Sequence, residues 1–313
     1  MQSGIECLVL HLLAAIGVYT GAIFLYDCVR SPLAILWSVI FPNNKPLSKR
    51  YGPWAVITGS SDGIGKQYAL NLASKGMNVF LISRTESKLV DIAEKIRAQY
   101  SVEVQWLAID FAQSAKIYET IRKSLTGLEI GILVNNVGVA EKNPLAFDEI
   151  AIENVKQSVS INVMAALQMT YMLLPEMKQR RCGLIINISS VAGYFPMPFY
   201  SLYGASKAYL NSFTLALGQE LRGSGVECQL VTPLFVRTKI NELVHYDKFW
   251  TTILTDVENF TKQAVFTIGR SNCTTGYWVH GLQFTFMRLV PKKVLTTLWY
   301  YCGLLYRKQG RKS

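Results

Sequence analysis

The sequence predicts an α/β protein built on one doubly wound parallel sheet, with apolar segments added at both ends. Three observations carry that prediction. Short apolar, β-branched runs alternate with longer stretches of helical periodicity from Trp54 to Thr232. A glycine-rich turn, Thr58-Gly59-Ser60-Ser61-Asp62-Gly63-Ile64-Gly65, joins the first of these runs to the first helical stretch. Thr58, Arg84, Asp110, Asn135 and Ser190 stand at the ends of successive strand-like runs, and open parallel sheets collect ligands at the carboxyl ends of their strands.

Composition sets the outer limits. The chain has 313 residues, enough for one large α/β domain with appendages. Half of them are hydrophobic and the mean hydropathy is +0.21, high for a wholly soluble protein. The formal charge is +11, but the Lys and Arg residues are scattered and form no arginine-rich stripe, which points away from nucleic acid. A basic chain with apolar ends suits a membrane-attached protein facing the cytosol. The six cysteines form no Cys-x-x-Cys pair and there are three histidines, so neither a metal site nor a disulfide framework is expected.

Taken in order, Ile5 to Tyr26 is almost continuously apolar and about long enough to cross a bilayer. The rival reading is a cleaved signal peptide. Glu6, and positive residues that begin only at Arg30, favour an anchor with the downstream domain in the cytosol. A second apolar run, Leu33 to Phe41, is too short to span and reads as lying in the interface or against the protein. Strands are then predicted over 54–58, 78–83, 103–109, 130–134, 183–188 and 226–232. Helices are predicted from the glycine turn to Lys75, then over 86–100, 113–125, 154–179 and 202–221. The glycine turn, between a strand and a helix N-terminus, is suited to cradle a phosphate. Arg84 ends the second strand where an arginine accommodates a 2′-phosphate, which favours NADP over NAD.

The chemistry gathers around Tyr203-Gly204-Ala205-Ser206-Lys207. Residues four apart share a helix face, so Tyr203 and Lys207 meet. An ammonium beside a phenol is expected to lower the phenol pKa and tune it for proton transfer with an alcohol oxygen. Ser190, thirteen positions upstream at a strand end, can hold the same oxygen.

With these residues in hand, positions 52 to 240 resemble the short-chain dehydrogenase/reductase family, whose domain is Rossmann-type. Thr58-Gly59-x-x-x-Gly63-x-Gly65 is similar to its cofactor loop. Asn135-Asn136-Val137-Gly138 is similar to its Asn-Asn-Ala-Gly segment, with valine in place of alanine. Pro233 to Thr238 resembles the segment that closes over the nicotinamide. The resemblance implies a catalytic set of Asn162, Ser190, Tyr203 and Lys207. It further implies cofactor contacts from Gly59, Ser60, Ser61, Asp62, Gly63, Ile64, Gly65, Arg84, Asp110, Asn136, Tyr203, Lys207, Pro233, Val236 and Thr238. By the same resemblance, NADPH supplies hydride to a carbonyl, Tyr203 protonates the oxygen, and Lys207 lowers the phenol pKa and holds the ribose. Ser190 then orients the carbonyl and Asn162 supports a water-linked proton path.

The phrases Leu81-Ile-Ser-Arg84 and Gly127-Leu-Glu-Ile-Gly-Ile-Leu-Val-Asn-Asn-Val-Gly138 are similar to the membrane-bound 17β-hydroxysteroid dehydrogenase and very-long-chain 3-oxoacyl-CoA reductase branch. That implies a long-chain 3-oxoacyl-CoA or a 17-ketosteroid as substrate, and an endoplasmic reticulum membrane. The tail Thr274-Thr-Gly-Tyr-Trp-Val-His280 looks most like the hydroxysteroid dehydrogenase-like proteins. Their vertebrate members lack the catalytic tyrosine and are mitochondrial, so a non-catalytic NADP-binding protein stands as the alternative. Tyr203 separates the two readings.

The expected organisation is an anchor and linker at 1–50, an NADP-binding domain at 51–240 and a substrate lid with an apolar extension at 241–313. Asn241 to Thr255 reads as the lid, Asp256 to Ile268 as a helix. The aromatic stretches 277–289 and 294–306, flanked by basic residues, read as membrane-apposed, with a substrate-pocket wall as the rival. The expected partners are a lipid-like small molecule, acyl-CoA or steroid, and a membrane. A homodimer is left open.

Overall fold

The computed structural model describes residues 2–40, 45–238 and 255–310. Seven parallel strands form one sheet in the order β3-β2-β1-β4-β5-β6-β7. They are β1 Trp54–Thr58, β2 Asn78–Ser83, β3 Val104–Ala108, β4 Ile130–Asn135, β5 Gly183–Ile188, β6 Val226–Val231 and β7 Cys273–Thr274. The order reverses at β1, between β2 on one side and β4 on the other. A crevice at that switch point, outside the carboxyl ends of the strands, is where such sheets bind dinucleotides. The six longer strands fall where the sequence predicts them. β7 is two residues long, too short to show a period.

Helices cover both faces: α1 Gln2–Ile40, α2 Leu47–Tyr51, α3 Gly63–Ala73, α4 Glu86–Gln99, α5 Ile117–Leu125, α6 Ile152–Val159, α7 Ala165–Gln179 and α8 Ser201–Glu220. Three more follow the sheet's main body: α9 Val257–Phe266, α10 Trp278–Leu289 and α11 Lys292–Gly310. The sheet is apolar on both sides because both sides are covered. One core layer joins Ala55, Ile57 and Val134 to α3, α4 and Phe260 of α9. The other joins Val56, Ile82 and Leu133 to α5, α7 and Leu217 of α8.

The structure refines three expectations. α5 starts four residues later than expected, because Gln113, Ile117 and Tyr118 first close short three-residue turns. The predicted helix over 154–179 is interrupted by a π turn at Ser160–Met164, which separates α6 from α7. The run from Leu33 is no separate segment but continues α1 as far as Ile40. The expected lid lies outside the described residues except for Thr255. Among the described residues one helix, over Gly4–Tyr26, is long and apolar enough to cross a membrane.

Candidate active site

The glycine turn is shaped by what it must approach. Gly59 takes φ 66°, and a Cβ there would stand 2.9 Å from both Asn136 Nδ2 and Val137 Cα. A Cβ on Gly65 would run into the carbonyl of Gly59. Glycine is therefore required for the loop to fold back on itself and leave free amides at the start of α3. Asn136 locks the loop from the other side, its Nδ2 donating to Thr58 O at 3.0 Å and Gly59 O at 3.1 Å. Thr58 Oγ1 accepts from the amides of Asn136 at 3.0 Å and Val137 at 3.2 Å. These partners fit a bound dinucleotide, because they hold the cradle open without filling it.

The other residues expected at the cofactor divide by what they already hold. The Ser60 hydroxyl donates to Ile82 O at 3.3 Å and is fully buried, so it shapes the loop. The Ser61 hydroxyl lies 2.7 Å from that of Ser83, at the end of β2. The Asp62 carboxylate caps α3, accepting from Gly63 N at 2.8 Å. Ile64 packs on the core beneath the turn. Arg84 is exposed beside the Ser61–Ser83 pair, and Asp110 Oδ1 accepts from Ala112 N at 3.0 Å at the end of β3. Lys88 was not singled out in the sequence. It faces the turn from the first turn of α4, 3.7 Å from Asp62.

Tyr203 lies in the first turn of α8 and Lys207 one turn on, with Lys207 Nζ 5.7 Å from the phenol ring centroid. Lys207 is buried and its ammonium donates to Ile188 O at 3.0 Å, at the end of β5. Ser189 donates back to Lys207 O at 3.0 Å. Strand β5 and helix α8 are thereby stitched together where Ser190 emerges. Gly138 lies against this group, since a Cβ there would sit 3.5 Å from Lys207 Nζ and 3.4 Å from Asn162 Oδ1.

Asn162 occupies the π turn, a feature frequent at functional sites. Its Oδ1 accepts from Val139 N and its Nδ2 donates to Val139 O, both at 2.8 Å. The same amide reaches Ser158 Oγ at 3.3 Å and Ser206 Oγ at 3.2 Å. The side chain is spent on holding the loop after β4 against α8, so it works by positioning.

One expectation about the phenol is corrected. Burial pushes the Tyr203 pKa up, a hydrogen bond from the Ser190 hydroxyl pulls it down, and the Glu141 carboxylate pushes it up again. The lysine gives way instead, and burial pushes Lys207 down to about 8. Burial disfavours the charged form of each group, the phenolate and the ammonium alike, so the two shifts run in opposite directions. Glu141 was missed in the sequence. It follows Val139 on the loop after β4, its own pKa is raised by burial, and its Oε2 is buried without a hydrogen-bond partner.

The crevice is closed by residues from far along the chain. Pro233 O accepts from Val191 N at 3.0 Å, and Val236 bridges to Thr255. Thr238 reaches back to the glycine turn, its Cγ2 lying 3.4 Å from where a Gly63 Cβ would be. His280 of α10, fully buried, accepts at Nδ1 from Leu234 N at 3.4 Å. Burial pushes that imidazole down to about 4, so it stays neutral. Beyond Ser190, Val191 and Phe195 pack with Phe284 of α10 and Leu295 of α11. The inner faces of both C-terminal helices are buried in this cluster.

With this geometry in hand, the comparisons are specific. Residues 53–248 match the short chain dehydrogenase family model. The chain belongs to the short-chain dehydrogenase family. This oxidoreductase is 40% identical over 272 residues to a human very-long-chain 3-oxoacyl-CoA reductase, covering 86% of this chain and 83% of the relative. It is 37% identical over 267 residues to a human inactive hydroxysteroid dehydrogenase-like protein 1, covering 85% and 80%. A short-chain dehydrogenase from Sphingobium yanoikuyae, solved in complex with NADPH, superimposes with a TM-score of 0.65 at 30% identity over 71% of this chain and 87% of its own.

Proposed function

We propose that this protein is an NADPH-dependent ketoreductase acting on a lipid carbonyl. The 3-oxo group of a long- or very-long-chain acyl-CoA ranks first and the 17-keto group of a steroid second. The observation that carries the reading is the cluster of Tyr203, Lys207 and Ser190, tied together at the ends of β5 and α8 and roofed by an apolar wall. The cofactor, when bound, supplies the hydride. Gly59, Gly63 and Gly65 present the amides of the turn to its phosphates, with Ser61 and Ile64 alongside. Arg84 suits the 2′-phosphate, Asp110 the adenine side, and Pro233, Val236 and Thr238 the nicotinamide side.

The chain's own residues then manage one oxygen and one proton. A phenol raised by burial is protonated at neutral pH, which is the form needed to give a proton to a carbonyl oxygen. The Ser190 hydroxyl holds that oxygen. Lys207, at about 8, is largely cationic at pH 7 and stabilises the phenolate left behind. Asn162 keeps the floor of the site in register.

Residues 1–50 serve as anchor and linker, 51–240 as the catalytic domain and 241–313 as the substrate cover. The enzyme sits in the endoplasmic reticulum membrane with the catalytic domain cytosolic. Exposed Val159, Met164, Tyr171 and Tyr209 along α6 to α8 suit a homodimer. The identity to an inactive relative favours one second reading, a non-catalytic NADP-binding protein. The presence of Asn162, Ser190, Tyr203 and Lys207 together argues against it.

NADPH oxidation by detergent-purified protein, offered 3-oxoacyl-CoA and 17-ketosteroid panels, tests this directly. Turnover is expected on the acyl-CoA panel, falling by about 10²–10⁴-fold in Tyr203→Phe while NADPH binding is kept. Binding without turnover on either panel would overturn the ketoreductase reading.

A further inference from the structure

The two C-terminal helices have a second face. On α10 the residues turned outward are Trp278, Leu282, Phe286 and Leu289, which are 49%, 51%, 70% and 58% exposed. Their spacing of four, four and three puts them on one stripe. On α11 the outward residues are Val294, Leu298, Tyr301 and Leu305, at 46%, 55%, 60% and 62%. Soluble monomers rarely expose contiguous apolar surface on this scale. Lys292 and Lys293 at the junction of the two helices, and Lys308 near the end of α11, are also exposed. Apolar stripes with tryptophan and tyrosine, edged by lysine, match the boundary between lipid headgroups and acyl chains.

The depth agrees. Helix α1 is exposed throughout from Gly4 to Thr20 and becomes part-buried at Gly21 and Phe24. There it meets α10, whose Arg288 guanidinium lies over the Phe24 ring at 5.3 Å. The candidate span ends at Tyr26. The end of the span, where a bilayer surface would lie, is thus the level of α10. At about 1.5 Å per residue the 39-residue helix is about 58 Å long, roughly twice the ~30 Å hydrocarbon core. Its second half therefore continues beside the domain, again with Leu33, Leu36, Trp37 and Ile40 exposed.

We infer that the outer faces of α10 and α11 lie in the surface of an anionic bilayer, so that the chain meets the membrane in plane as well as through Gly4–Tyr26. The occupant of this face is lipid. The inner faces of the same helices pack against Val191 and Phe195, next to Ser190. Seating them in the headgroup layer sets the substrate entrance at the lipid surface, and this last consequence rests on the ketoreductase reading.

The test uses the full chain in phosphatidylcholine–phosphatidylserine vesicles that carry lipids brominated near the headgroup. Subtracting the emission of Trp278→Phe from that of the wild type isolates Trp278. Shallow bromines are expected to quench that emission, and Phe286→Asp is expected to abolish the quenching while α1 keeps the protein in the vesicles. Trp278 emission untouched by lipid in vesicle-bound protein would overturn the inference. So would a Trp278 shielded by a second copy, seen as a dimer that Phe286→Asp dissociates. Neither readout needs turnover, so failure of the ketoreductase assay leaves this test intact. If both readings hold, Phe286→Asp loses turnover on vesicle-borne long-chain substrate and keeps it on a short water-soluble ketone.

Discussion

Tyr203 has three neighbours, only one of which the sequence places beside it. Ser190 comes from the end of β5, Lys207 from the next turn of α8, and Glu141 from the loop after β4. Removing the Glu141 charge takes away a repulsion that raises the phenol pKa. Glu141→Gln is therefore expected to shift the pH–rate profile toward lower pH. In the oxidative direction, where the phenolate is the base, the rise of kcat with pH comes earlier, and stopped-flow traces across a pH series would show it. No shift would mean that the carboxylate does not act on the phenol.

Lys207 makes the stability of the fold depend on pH. Its folded pKa of about 8 lies below the free value of 10.5. Between those limits the unfolded chain binds more protons, so stability rises with pH, by about 3 kcal/mol at most at 1.36 kcal/mol per unit. Below pH 8 the full cost of burying the ammonium is present. Lys207→Met is expected to raise the Tm in detergent at pH 7, to lose that advantage toward pH 10, and to abolish turnover. A lower Tm at pH 7 would show that the bond to Ile188 O outweighs desolvation.

Among the elements, α11 is held by one unusual contact. Phe199 has φ 67°, uncommon for a bulky side chain, immediately before α8 begins. Its ring stacks on Tyr300 at 5.5 Å and lies under the Arg307 guanidinium at 5.0 Å. Arg307 also makes a two-pronged ion pair with Glu149 at 2.6 and 2.7 Å. Gly303 is what lets the helix come this close, since a Cβ there would collide with the Phe199 ring. Gly303→Leu is expected to lift α11, raise KM for long-chain substrate and leave the NADPH Kd unchanged. Equal changes in both constants would place α11 outside the substrate wall.

For the molecule as a whole, the C-terminal segment after residue 255 shares the core of the central sheet. Phe260 of α9 is fully buried in the layer that holds Ile57 and Val134, and it touches His280 at a ring distance of 5.8 Å. Gly276 folds over its ring, where a Cβ would come within 2.6 Å. Phe260→Ala is expected to cost about 3–5 kcal/mol and to lower the Tm of a single unfolding transition. A separate low-temperature transition would mean that the C-terminal third unfolds alone.

The six longer strands, their parallel alternation with helices, the glycine turn and the Tyr203–Lys207 pair were all legible in the residues. Each depends on local pattern: apolar runs of strand length, a glycine where backbone must turn, and a four-residue spacing on one helix. The rest came from packing between distant segments. β7 forms because Leu230 and Val231 of β6 offer an edge to a two-residue segment. Glu141 and His280 reach the crevice only through folding, so neither carries a local motif. The phenol pKa is set by desolvation, a property of everything packed around it, and so neighbouring residues in the sequence gave it the wrong sign. The two faces of α10 and α11 likewise share one aromatic-rich composition, and only packing separates the buried inner surface from the surface turned outward.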